Sequence, residues 1–206
     1  RTADVVRSPA GGIRVLLRIA QFRNLVIVAA MILGSHAMHD AFAVIRWSAA
    51  GISPATASLL WSESVAAEVL VFFVIGPALV GRLTPAGALA TAALAGILRW
   101  AVAAQTTDVM AMALVQPLHG ITFALLHLAC MRLIARIVPE GLEGTAQAIY
   151  GTVGIGADSA LLTFVSGALY GRFGAEGFWV MAALCLIALP LTLKLREPVL
   201  GKSRTQ

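Results

Sequence analysis

Nine ionisable side chains stand inside apolar runs of this sequence: His36, His39, Asp40, Glu63, Glu68, Arg99, His119, His127 and Asp158. At the centre of a hydrocarbon layer a charged residue costs at least about 2.5 kcal/mol, so such groups collect where they face a cavity, a partner or a substrate. Imidazole and carboxyl groups can carry protons, whereas a guanidinium keeps its charge and grips a carboxylate through a planar fork. The types present therefore suit proton transfer and anion binding. A purely structural bundle could tie its helices with Ser and Thr at less cost, so packing alone is a poor account of all nine.

Spacing refines this. His36, His39 and Asp40 stand at i, i+3 and i+4 and share one helix face, and His119, Phe123 and His127 at i, i+4 and i+8 share another. Glu63 and Glu68 are about 140° apart on a helix and do not look into one site. Measured at 1.5 Å per residue from the outer end of each run, Asp40 and Arg99 lie roughly 8 Å deep, His119 and Asp158 roughly 16 Å, and Glu68 roughly 20 Å. Glu68 and His119 are thus level to within about one helical turn, close enough for direct or water-mediated proton exchange. His127, nearer the cytoplasm, is placed to pass a proton inward. Arg99 needs either an acidic partner, for which Asp40 matches it in depth, or an anionic substrate. Phe42, Trp61, Trp100 and Phe123 offer an apolar wall beside these groups.

The elements that must hold these residues follow from composition. Of 206 residues 59% are hydrophobic and only 12% charged, and the mean hydropathy is +0.88. A soluble domain has no use for that balance. Six apolar runs, roughly 24–45, 55–80, 84–105, 109–137, 146–170 and 177–195, each meet the roughly 20-residue length of a membrane-crossing helix. They do not alternate polar and apolar residues as barrel strands do. Ser53-Pro54 and Thr84-Pro85 each offer a capping side chain followed by proline at a first helical position. Val138-Pro139-Glu140-Gly141 breaks the fourth run, and Gly171, Gly174 and Gly177 open the turn before the sixth. The expected fold is an all-α membrane protein of six transmembrane helices over 24–195, with a cytoplasmic segment at 1–23 and a cytoplasmic tail at 196–206.

Twelve of the fifteen Lys and Arg residues fall on one side of these spans, only Arg46 and Arg172 on the other, and Arg99 within. Basic residues stay in the cytoplasm, which puts both termini there. Trp47, Trp61, Trp100 and Trp179 fall toward the opposite side, as one aromatic belt would. The net charge of +5 is therefore a topology signal, and no nucleic-acid partner is expected. Arg14 and Arg18, four apart among Ile13, Val15, Leu16, Leu17 and Phe22, fit either an interfacial amphipathic helix or a basic flank of the first span. Cys130 and Cys185 lack ligand spacing, and Gly151, Gly154 and Gly156 around "YGTVGIGADSA" do not match a nucleotide-binding loop, so neither metal nor cofactor is expected.

The segments "GSHAMHDAFAVIRWSAAGIS", "LLWSESVAAEVLVF", "GILRWAVAA" and "VQPLHGITFALLHLACMRLIA", in that order, resemble the second half of the 3-phenylpropionate permease group of the major facilitator superfamily. The similarity runs from about residue 24 to about 182. Its specific parts are Ser35-His36-Ala37, Trp47, Trp61 with Ala67-Glu68-Val69, Arg99-Trp100, Gln116 with Leu118-His119, Thr122-Phe123, His127-Leu128 and Met131-Arg132. The resemblance implies a multi-pass protein of the cell inner membrane that carries a small molecule together with a proton. Glu68, His119 and His127 would then handle the proton. His36, Asp40, Arg99, Trp100, Gln116 and Phe123 would hold the substrate, an aromatic or hydrophobic organic acid, with a sugar or nucleoside as the alternative. The sequence departs from the group at His39, Asp40, Glu63 and Ser64, which points to a different substrate. "GPALVGRL" keeps Gly76, Gly81 and Arg82 of the superfamily's cytoplasmic loop but lacks its acidic residue.

Transporters of this kind have twelve spans in two six-helix halves. The chain is accordingly expected to be a C-terminal half whose N-terminal six-helix half lies elsewhere in the same protein. A natural six-span protein that dimerises is the alternative. An intramembrane metalloprotease fits less well, because Phe123 and His127 lack the adjacent glutamate pair such enzymes carry. A haem carrier would need a second aligned histidine pair beside His36 and His119.

Overall fold

A computed structural model describes residues 9–195, and the Lys and Arg residues assigned to the cytoplasm at 1–8 and 196–206 lie outside the described residues. All regular structure among the described residues is helical. In chain order the α-helices are α1 (Pro9–Arg18), α2 (Ala20–Gly34), α3 (Ala37–Ala49), α4 (Pro54–Leu70), α5 (Gly76–Gln105), α6 (Val109–Val115), α7 (Leu118–Gly120), α8 (Leu126–Ile137), α9 (Glu143–Gly151), α10 (Asp158–Phe173) and α11 (Phe178–Thr192). Single π-helical turns join α4 to α5 (Val71–Ile75), α7 to α8 (Ile121–Leu125) and α9 to α10 (Thr152–Ala157). Such turns interrupt the i to i−4 ladder without ending the helix.

Four helical stretches are long and apolar enough to cross a membrane: 20–49, 54–105, 109–137 and 143–195. The second and fourth, of 52 and 53 residues, would each be close to 80 Å long if straight, against a hydrocarbon core of about 30 Å. Neither is straight. Thr84 has φ 61° immediately before Pro85, and Gly174 has φ 56°, a backbone setting that glycine adopts at little cost. Contacts on either side reveal the reversal. Along α4 and the start of α5, Leu60, Glu68 and Gly76 meet Gln116, His119 and Leu128 in turn. Further on, Gly96 and Arg99 run back to Thr122 and Gln116. Likewise Asp158 and Tyr170 of α10 lie against Gly34 and Phe42, whereas Gly177 and Cys185 return to Met38 and Ser35.

The starts of these helices obey local chemistry read from the sequence. Ser53 Oγ accepts the Thr56 N–H at 3.1 Å with Pro54 at the first helical position, and Thr84 Oγ1 accepts the Gly87 N–H at 3.3 Å. The break after α8 falls where Pro139 and Gly141 predict it, Gly141 having φ 84°. Gly171, by contrast, continues α10, and the turn begins at Gly174. Residues 9–18 form a separate short helix with Leu16 buried and Arg14 and Arg18 exposed.

Leu25 and Ile32 of α2, Leu89 and Ala92 of α5, Leu126 of α8 and Met181 and Cys185 of α11 are fully buried in one core. Large apolar side chains such as Phe73, Leu114 and Phe164 are instead exposed on the outside, the arrangement expected where the surrounding solvent is lipid.

Candidate functional site

Two interruptions of the helices put the polar residues in place. Between α2 and α3 the backbone departs from regular helix at Ser35 and His36: the His36 N–H turns to the Leu33 carbonyl at 3.0 Å, and the Ile32 carbonyl is met by side chains. Ser35 Oγ donates to the Ile32 carbonyl at 2.6 Å and accepts the Trp100 indole N–H at 2.8 Å. His36 Nδ1 lies 3.1 Å and 3.0 Å from the Ile32 and Leu33 carbonyls. A carbonyl only accepts, so Nδ1 carries the hydrogen and Nε2 takes the Thr122 hydroxyl at 2.9 Å. In the third stretch, Pro117 cannot donate to the preceding turn, and the helix breaks between α6 and α7. Gln116 and His119 flank that break.

At the centre is Arg99, 1% exposed. Its Nη1 lies 3.1 Å from His119 Nδ1 and its Nη2 donates to Gln116 Oε1 at 3.3 Å. The guanidinium stacks over Trp100 at 4.7 Å, a cation–π contact that suits a desolvated arginine. Because a guanidinium only donates, His119 Nδ1 must accept and Nε2 must carry the hydrogen. That Nε2–H points at Glu68 Oε2, 3.2 Å away. Gln116, Arg99, His119 and Glu68 therefore form one hydrogen-bonded chain between two of the long helical stretches, closed by Gln116 Nε2 donating to the Leu60 carbonyl at 3.2 Å. Close approach makes the last link possible: Gly120 lies against the Ala67 backbone and Val71.

A cavity of about 240 Å³ runs beside this chain. Its wall includes His36, His39, Asp40, Trp61, Ser64, Arg99, His119, Phe123 and Ser159. The volume is on the scale of a small organic molecule.

Of the residues singled out in the sequence, His36, Asp40, Arg99, His119 and Phe123 meet at this wall. Glu68 joins them through His119. Trp100 is fully buried beneath Arg99, and Gln116, 2% exposed, holds the guanidinium from behind. Asp40 does not pair with Arg99 as their equal depth led one to expect. It lies instead 3.4 Å from His39 Nδ1, and among the described residues no carboxylate comes within 4 Å of Arg99. Depth along a span says nothing of rotation about it, and rotation decided this pairing. His127 is set apart from the cavity, with Nδ1 3.2 Å from the Tyr150 hydroxyl. Phe123, stacked on His119 at 5.6 Å, and Phe72, 5.7 Å from His127, stand between. Ser35, Thr122 and Tyr150 were not foreseen as partners. Thr122 had one legible signal, its place three residues after His119 on the same helix face.

With this geometry in view, the comparisons with known proteins agree on a class. The family described as "MFS_1 like family" matches residues 5–181, and the chain belongs to it. The relationship is to transporters of the major facilitator superfamily, not to enzymes. The chain is 39% identical over 158 residues to the "Probable 3-phenylpropionic acid transporter" of Escherichia coli (strain K12), an alignment that covers 76% of this chain and 40% of that protein. The chain thus spans less than half of that relative's length. No solved structure gives a significant match.

Proposed function

We propose that this chain is the C-terminal half of a proton-coupled symporter for a small aromatic organic acid. The second and fourth long helical stretches each supply two spans, folded back at Thr84 and Gly174, giving six. Both termini lie in the cytoplasm and the protein resides in the cell inner membrane. A further six-helix half of the same protein faces the cavity and completes it. The observation that carries the reading is the hydrogen-bonded chain Arg99–His119–Glu68, whose Arg99 and His119 line the cavity, and which sets an anion-binding group in contact with a proton-carrying pair.

In this reading the substrate carboxylate enters between His36, Asp40 and Phe123 and takes N–H groups of Arg99. Trp100 and Gln116 fix the guanidinium's plane, and Trp61 and Phe123 border the substrate's apolar part. Glu68 and His119 carry the proton. His127 and Tyr150 receive it on the cytoplasmic side once Phe72 and Phe123 move apart. The substrate in the name of the Escherichia coli relative supports the choice of an aromatic acid. His39, Asp40 and Ser64 on the wall add hydrogen-bonding groups that favour a sugar or nucleoside as the second reading.

The test is uptake of labelled 3-phenylpropionate by proteoliposomes holding the complete transporter, with and without an imposed proton gradient. Accumulation driven by the gradient, competed by aromatic acids, supports the proposal. Competition by nucleosides or sugars alone overturns the substrate assignment, and uptake indifferent to the gradient overturns proton coupling.

A further inference from the structure

Among the described residues outside the four membrane-crossing stretches, two large apolar side chains are exposed, and both belong to α1: Ile13 at 40% and Leu17 at 49%. α1 is not an extension of the first span. It ends at Arg18, and Ile19, with φ −76° and ψ 107°, is extended backbone before α2 begins. Across this bend Arg23 Nη1 donates to the Leu17 carbonyl at 2.7 Å, meeting an acceptor that the helix C-terminus leaves open. The bend is thereby tied.

Helical spacing divides α1 into three faces. Gly12 and Leu16 share one, Ile13 and Leu17 a second about 100° round, and Arg14 and Arg18 a third about 100° further. The first is buried, with Leu16 in the main core and α1 lying against α9. The second is apolar and exposed, and the third is basic and exposed. Among the described residues no carboxylate comes within 4 Å of Arg14 or Arg18.

An occupant of the two free faces must bring hydrocarbon to one and negative charge to the other, at about a right angle. The boundary of an anionic bilayer does both, with acyl chains under the apolar face and phosphates beside the arginines. The position of α1 agrees with this. Its neighbour α9 starts at Glu143, just after the break at Pro139–Gly141 where the chain passes from one crossing stretch to the next. α1 therefore lies at a membrane surface, the cytoplasmic one in the orientation proposed above, whose anionic lipids attract juxtamembrane arginines.

We infer that α1 is a lipid-binding helix: Ile13 and Leu17 enter the acyl layer, and Arg14 and Arg18 hold the phosphates of anionic phospholipids. No residue of α1 lines the cavity, so the test reads lipid contact and not uptake.

The complete transporter, with any other accessible cysteine replaced, is labelled at Leu17→Cys with an environment-sensitive dye and placed in phosphatidylcholine vesicles. A trace of phosphatidylglycerol, or of phosphatidylcholine, carrying a nitroxide on its acyl chain is the quencher. At low ionic strength the phosphatidylglycerol probe should quench about fivefold more strongly than the other, the enrichment that one arginine near an anionic headgroup provides. Added salt should shrink the difference. Arg14→Gln with Arg18→Gln should bring the two probes level, whereas Arg14→Lys with Arg18→Lys, which keeps the charge, should retain the preference. Both probes are compared on one preparation of each variant, so a poor yield does not move the ratio. A dye at Ile13→Cys, one turn earlier on the same face, should report the same. Absence of quenching by either lipid at both positions means that the remaining half of the transporter or a second copy covers this face, and overturns the lipid contact. Equal quenching in the unaltered helix, or a preference that survives the double glutamine variant, overturns the phosphate site.

Discussion

Arg99 and His119 come from different helical stretches, yet Arg99 Nη1 lies 3.1 Å from His119 Nδ1, and this contact dictates the state of the imidazole. A guanidinium cannot accept a hydrogen bond, so Nδ1 is the acceptor and the hydrogen resides on Nε2, aimed at Glu68. One arginine thus orients a neutral histidine toward a carboxylate while standing on the cavity wall itself.

Arg99→Lys keeps a positive charge but loses the fork and the simultaneous grip on His119 and Gln116. Loss of one charge-assisted hydrogen bond corresponds to about tenfold or more in binding, and uptake of an anionic substrate should fall at least that far. Initial-rate uptake by the complete transporter checks it. Unchanged uptake removes Arg99 from the substrate site.

Glu68→Gln imitates a carboxyl that never gives up its proton. In the complete transporter it should abolish accumulation against a concentration gradient and preserve exchange between substrate on the two sides of a vesicle without a pH difference. Normal accumulation with normal pH dependence in Glu68→Gln and in His119→Gln would leave both residues with a structural role only.

Gly120 allows α4 and α7 to approach closely enough for the Glu68–His119 contact. A methyl group there would lie 2.5 Å from the Ala67 carbonyl and 2.8 Å from Val71, and a backbone carbonyl cannot step aside. Gly120→Ala should therefore part the helices, cost about 1–3 kcal/mol as overpacking does, and uncouple transport from the proton as Glu68→Gln does. Gly151→Ala, where nothing lies within 4 Å, is the control and should be neutral or mildly stabilising. Thermal unfolding and gradient-driven uptake, measured together, separate the two.

The nature of the site was legible in the sequence and its wiring was not. Ionisable residues in apolar runs announce a polar layer, and the caps at Ser53 and Thr84 and the break at Gly141 follow from local backbone preferences that need no tertiary knowledge. Helical periodicity also keeps Glu68 level with His119. Which face of one helix meets which face of the next is decided by side-chain packing across the bundle, and no periodicity encodes it. Asp40 could therefore be matched to Arg99 by depth and still turn toward His39. The irregular turns at Ser35–His36 and Gln116–Pro117 rotate the residues after them, so faces counted along an unbroken helix lose their register. Phe72, which stands beside His127, belongs to an apolar run with nothing in its composition to mark it.

Thr122 holds His36 in place. With Nδ1 committed to the Ile32 and Leu33 carbonyls, Nε2 depends on the Thr122 hydroxyl at 2.9 Å, whose single hydrogen is also within reach of the His119 carbonyl at 3.2 Å. Thr122→Val has the same shape without the hydroxyl and leaves that nitrogen buried and unpartnered, at a cost of about 1–3 kcal/mol. Thr122→Ser restores the donor. A lowered unfolding temperature in the valine variant, recovered in the serine variant, is the expected result. Equal stability of all three would mean that His36 finds another partner.

The final prediction follows from the opening relationship. While Arg99 donates to His119 Nδ1, that nitrogen has no free lone pair and His119 cannot take a second proton. A substrate carboxylate that draws Nη1 to itself vacates Nδ1. The imidazole then lies near two negative groups, Glu68 3.2 Å away and the incoming carboxylate, which favour its protonation. The Arg99 cation stays beside the ring and opposes its charging until the bound carboxylate offsets it, Asp40 and His39 act from further off, and the other ring neighbours are Phe123, and His36 at 5.2 Å. With Nδ1 already bonded to carbonyls, His36 opposes a second charge only if it too becomes protonated. Substrate binding should therefore be accompanied by uptake of up to about one proton per molecule bound. By reciprocity, lower pH should tighten binding of the anion. A pH-indicator dye in weakly buffered detergent solution measures the uptake directly on addition of 3-phenylpropionate to the purified transporter. His119→Gln should eliminate it, because an amide has no proton to gain. Binding without proton uptake in the unaltered protein, or uptake that persists in His119→Gln, would show that Arg99 and His119 do not link the anion to the proton.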